Sequence, residues 1–96
     1  MADIDIRKPH SLSRDEAKKR VEQLMNNMKE FGIDWRWEGD RIKFDANRGV
    51  AKGMSGTASV DASQVRVEAE LPFLLMAAKG LIEKKFEEQL DVVFKT

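Results

Sequence analysis

Residues 33–46 read IDWRWEGDRIKFDA, and the way this stretch pairs with itself decides the fold. Apolar and charged residues alternate on both sides of Gly39-Asp40. A two-residue turn with glycine first is the type II′ pattern of a β-hairpin. Folded there, Glu38 faces Arg41, Trp37 faces Ile42, Trp35 faces Phe44 and Ile33 faces Ala46. The apolar pairs then share one face, with an opposite-charge pair beside the turn. A slip of one residue would set both tryptophans against polar side chains, so the register is strongly specified.

The flanking sequence continues the pattern. NRGVAKG (47–53) is a loop, and MSGTASV (54–60) turns Met54, Gly56, Ala58 and Val60 inward. After the turn DAS (61–63), QVRVEAEL (64–71) sends Val65, Val67, Ala69 and Leu71 in and Gln64, Arg66, Glu68 and Glu70 out. Such alternation describes an antiparallel sheet with one wet face. Upstream, SRDE (13–16) is a capping box. Ala17, Val21, Leu24, Met25, Met28 and Phe31 then recur at helical spacing, which predicts an amphipathic helix over 14–31 stopped by Gly32. ADIDIR (2–7) alternates as a short strand ended by Pro9. Residues 72–94 read as a last helix, with Pro72 at the first helical position.

The order β-α-β-β-β-β-α implies an α+β fold and a single domain over residues 1–96. Its five-stranded antiparallel sheet has one solvent face and two helices on the other, the C-terminal one long. Placing the first strand beside the last keeps every neighbour antiparallel, giving the strand order 2-3-4-5-1.

Composition narrows the function. Lys plus Arg and Asp plus Glu each number 17, so the net charge is zero. Nucleic-acid binding driven by phosphate neutralisation needs a basic surplus. In WRW (35–37), strand alternation turns both tryptophans to the core and leaves Arg36 in water, so no base-stacking platform forms. Without cysteine, disulfides and thiolate chemistry are excluded. The first ten residues hold no apolar leader segment, and no stretch reaches the length of a membrane span, so a cytoplasmic protein is expected.

No catalytic, cofactor-binding or metal-binding constellation emerges. His10 is the lone histidine, with neither an activated nucleophile nor further ligands at recognisable spacing. It suits the turn into the first helix. GVAKGMSG (49–56) has the glycines of a phosphate loop, but no Gly-Lys-Ser/Thr follows and the loop leads into a strand. The wet-face carboxylates have basic neighbours, so charge pairing accounts for them.

The last segment carries the one unexplained feature. Set at 100° steps, Leu75, Ala78, Ile82, Phe86, Leu90 and Val93 face the sheet. Lys84, Glu87, Glu88 and Asp91 mark the opposite side, and Phe73, Met76, Ala77 and Gly80 fall in that same solvent sector, with Leu74 and Leu81 on its flank. The front of the helix is therefore apolar all round. Phe73, Leu74, Met76, Ala77, Gly80 and Leu81 form a candidate contact surface, covered by the chain itself or by a partner.

The whole chain resembles the polyhydroxyalkanoic acid system family, small bacterial proteins of polyhydroxyalkanoate granule gene regions. RKPHSL (7–12), WRWEGDRIKF (35–44), GMSGTASV (53–60) and VRVEAELPFLLMAAKGLIEKKF (65–86) carry the resemblance. The loop ANRGVAK is longer than the connection usual there, and Pro72 stands where a small residue is expected. The resemblance implies a non-enzymatic accessory role in storage-polyester metabolism, with the granule surface or granule proteins as partners. Two alternatives remain open. One is an apolar-ligand (acyl) binder, with Trp35, Trp37 and Met54 lining a cavity beneath the last helix. The other is a homodimerising structural module.

Overall fold

The computed structural model describes residues 2–95. The hairpin forms in the register its sequence specifies. Strand β2 (Ile33–Glu38) and strand β3 (Arg41–Ala46) pair from Ile33↔Ala46 to Glu38↔Arg41. Gly39 takes φ 64°, and among the described residues only glycines have positive φ. Asp40 therefore stays at negative φ, as type II′ requires and type I′ does not. Glu38 and Arg41 are register partners, but the Glu38 carboxylate binds Arg36 at 3.0 Å and Lys43 at 3.5 Å. Those two cations lie on the same face and offer it two partners at once.

Strands β1 (Ile4–Pro9), β4 (Ser55–Val60) and β5 (Gln64–Glu70) complete one antiparallel sheet of order β1-β5-β4-β3-β2. It is the expected order, read from the other edge. The first helix, α1 (Arg14–Asn27), begins where Ser13 Oγ accepts from the Glu16 amide at 3.2 Å. The Glu16 side chain does not reach back to close the box. It pairs instead with Arg20 one turn on, at 3.2 Å, and Arg20 also donates to the Val93 carbonyl at 2.7 Å. A cation thus stands where a helix C-terminus concentrates negative charge. Lys29–Phe31 add a 3₁₀ turn, and Gly32 ends it in the left-handed conformation.

The last segment departs from expectation at its front. Phe73–Ala78 form a 3₁₀ helix, and only Lys79–Val93 form the α-helix α2. Pro72 is not the first helical residue. It sits in extended backbone (ψ 156°), and its carbonyl accepts from the Leu75 amide at 2.8 Å. This i→i+3 bond starts a helix of three residues per turn. One residue in three, Pro72, Leu75 and Ala78, then faces the fold and is half-buried. In α2 the inward set becomes Ile82, Phe86, Leu90 and Val93.

One core lies between the sheet and the helices. Phe86 is at its centre, its ring 5.9 Å from that of Phe44. Trp35 and Trp37 are only half-buried, because β2 is an edge strand with no neighbour beyond it.

The β4–β5 turn is set by Asp61. Its carboxylate accepts from the Ser63 amide at 2.8 Å and the Gln64 amide at 2.7 Å. These bonds hold its pKa below the usual carboxylate range. A carboxyl group whose pKa is lower folded than unfolded adds stability above the unfolded value, about 4. That stability is lost as pH falls through the folded value. Asp61→Asn is therefore expected to lower the urea midpoint near neutrality, with the two curves converging as pH falls through the lowered folded value. Parallel curves in a pH series of urea melts would show that the turn carboxylate contributes nothing through its charge.

Candidate contact surface

Each end of the 3₁₀ segment is fixed by its own chain. Gly53 lies so close to Pro72 that a Cβ there would come within 2.9 Å of the proline ring. Ala51 of the same loop is fully buried. The 47–53 loop is therefore a support for Pro72, and the hydrophobic residues after it start from a held position. At the far end, the Lys79 amide donates to the Met76 carbonyl, closing the last 3₁₀ turn before α2 begins.

Between these anchors the three-residue period leaves pairs of side chains outside. Phe73 and Leu74 are each 88% exposed, Met76 41% and Leu81 71%. Ala77 and Gly80 are exposed with them. The structure thus brings all six candidate contact residues to the surface of one short segment. Among the described residues, no loop and no part of α1 covers them. Leu74 is turned outward from the flank position of a uniform α-helix by the 3₁₀ turns, whereas Leu81, within α2, keeps that position and is exposed there. Val50, 71% exposed in the supporting loop, is a further apolar surface residue that the sequence reading did not single out. Its signal was an apolar residue within a Gly-flanked loop.

The proposed cavity residues are placed differently. Met54 is buried in the core. Trp37 donates from Nε1 to Glu22 at 2.6 Å, and Lys18 Nζ sits 5.5 Å from its ring centroid. Trp35 and Trp37 pack on the rim of the core. Two surface depressions, of about 490 and 260 Å3, are lined by other residues, the larger by charged-face side chains such as Arg36, Lys43 and Glu68.

His10 is spoken for at both ring nitrogens. The Leu12 amide donates to Nδ1 at 3.1 Å, which leaves Nε2–H to donate to the Asp61 carbonyl at 2.9 Å. Its ring also stacks on Phe94 at 5.9 Å. The residue ties the entry of α1 to the β4–β5 turn and to the end of α2. Arg48 and Lys52 lie exposed on their loop, which runs into β4.

The ion pairs of the charged sheet face join partly exposed side chains. Arg66 donates to Asp5 at 3.0 and 2.8 Å and also approaches Glu68 at 3.4 Å. Hydrogen bonding to Arg66 comes first in holding the Asp5 carboxyl below its usual range, with the charges of Arg66 and Arg7 adding. Among the described residues no helix is long and apolar enough to cross a membrane.

A family model described as "Putative polyhydroxyalkanoic acid system protein" matches residues 4–94. No curated protein matches the chain.

Proposed function

We propose, from the premise that the chain belongs to the polyhydroxyalkanoic acid system family, that it is a cytoplasmic, non-enzymatic accessory protein that adsorbs to storage polyester through the 73–81 surface. One observation carries this reading: four large apolar side chains, Phe73, Leu74, Met76 and Leu81, stand exposed on one short segment. Folded monomers seldom leave so many large apolar side chains exposed on so short a segment without a partner. A polyester surface offers methylene and ester groups with little charge, and burying apolar area against it is favourable at roughly 25 cal/mol per Å2.

The test is co-sedimentation with polyhydroxyalkanoate particles. The wild type is expected to pellet with them, and Phe73→Asp/Leu74→Asp to lose affinity by at least roughly tenfold. Both side chains are exposed, so the fold should be unaffected. Equal binding of the two proteins, or none by either, rejects the reading.

A further inference from the structure

We propose that the free edge of β2 is the interface of a symmetric homodimer, in which β2 pairs antiparallel with β2 of a second copy about Trp35. The two edges of the sheet are not alike. Edge strand β1 contains Pro9, and its Lys8 is bound to Asp91 of α2 at 2.7 Å. Proline and a committed lysine are the usual protections of an edge. Strand β2, IDWRWE, has neither proline nor lysine and, among the described residues, pairs only with β3.

Its backbone parity fixes which groups are free. Residues flanking a two-residue hairpin turn form a hydrogen-bonded pair, so Glu38, Arg36 and Asp34 direct their N–H and C=O toward β3. The Asn47 amide donating to the Gly32 carbonyl at 3.2 Å continues that parity. Ile33, Trp35 and Trp37 therefore present their backbone groups outward. Pairing Trp35 with its own copy sets Ile33 opposite Trp37 on each side. Every free group from 33 to 37 then gains a partner.

The side chains agree with that register and disfavour its neighbours. About Trp35, Asp34 faces Arg36 of the second copy, and the pair occurs twice by symmetry. All of these charged side chains are exposed on the wet face. On the helix face, half-exposed Trp35 meets its own copy. Centring on Arg36 would instead oppose arginine to arginine and Asp34 to Glu38. Centring on Asp34 would oppose two aspartates. Centring on Trp37 would set Trp35 against Gly39 and Asp34 against Asp40. Like charges directly opposite one another destabilise a strand pair, and opposite charges stabilise it. The result is a ten-stranded sheet with both helical layers on one side, since the two-fold axis is perpendicular to the sheet.

Sedimentation equilibrium of the full chain tests this without polymer, so its outcome is separate from that of the polyester reading. The wild type is expected to dimerise. Asp34→Arg alone and Arg36→Asp alone should each weaken the dimer roughly tenfold or more, because each doubles a like-charge pair. Mixing the two single variants should restore association, and so should the double variant Asp34→Arg/Arg36→Asp. Circular dichroism checks that these exposed substitutions leave the fold intact. In hydrogen exchange, the amides of Ile33, Trp35 and Trp37 should slow with rising protein concentration, and those of Asp34 and Arg36 should not change. A wild type that stays monomeric at all concentrations overturns the proposal. So does a dimer indifferent to both charge reversals, or β2 amides protected only when polyester particles are added.

Discussion

Gly56→Ala is expected to cost the fold about 3 kcal/mol or more, although it adds a single methyl group. Gly56 lies within β4, between Phe44 of β3 and Ala69 of β5. A Cβ there would meet the Glu68 carbonyl oxygen and stand 2.7 Å from Phe44 Cζ and 2.9 Å from Ala69 Cα. Two of these obstacles are backbone, which cannot swing aside as a side-chain tip can. The third is a ring packed under Phe86. Relief requires β4 and β5 to part, or Phe44 to leave its place beneath α2. For a domain of this size, 3 kcal/mol corresponds to a fall in Tm of about 12–24 °C. A thermal melt within a few degrees of wild type would mean that the strands yield easily and that the glycine is not a packing requirement.

Phe86→Ala should have a comparable or larger effect, about 3–5 kcal/mol. Phe86 is fully buried, and its ring lies 5.9 Å from that of Phe44 across the helix–sheet contact. Removing it loses the burial of an aromatic ring and leaves a cavity that the rigid sheet cannot close. Five residues earlier, Leu81→Ala removes a side chain that is 71% exposed and is expected to change stability by no more than about 0.5 kcal/mol. Urea melts of the two variants compare the buried face of α2 with its exposed one. A Leu81→Ala loss as large as that of Phe86→Ala would place Leu81 in the core and remove it from the contact surface.

The hairpin was legible because every local signal agreed. Alternation, the Gly39-Asp40 turn and the pairing of Trp35 with Phe44 all point to one register, and β1 could join only where the sheet stays antiparallel. The front of the last helix was legible in composition but not in geometry. FLLMAA has no polar residue to mark a face, so its period cannot be read from pattern, and a uniform 100° step was the natural choice. What decides the period is a tertiary contact. Gly53 packs against Pro72, and the extended Pro72 then directs its carbonyl to Leu75. That contact joins a loop to a position about twenty residues away in sequence, which periodicity cannot report. The effect falls on Leu74, which the helical wheel sets on the flank of the contact surface and the 3₁₀ turns bring fully outside. The side-chain ties of Glu16, Glu38 and Trp37 were hidden for a similar reason. Each carboxylate had several cations or donors within reach, and only the packed structure selects among them.

Phe73–Leu81 also makes a direct demand on experiment. Hydrogen exchange should be followed by mass spectrometry with and without polyhydroxyalkanoate particles. If the segment is the adsorbing surface, exchange at 73–81 slows when particles are added, β3 to β5 are unchanged, and the slowing disappears in Phe73→Asp/Leu74→Asp. Exchange at 73–81 that is indifferent to particles, while the protein still sediments with them, would contradict the assignment of this surface.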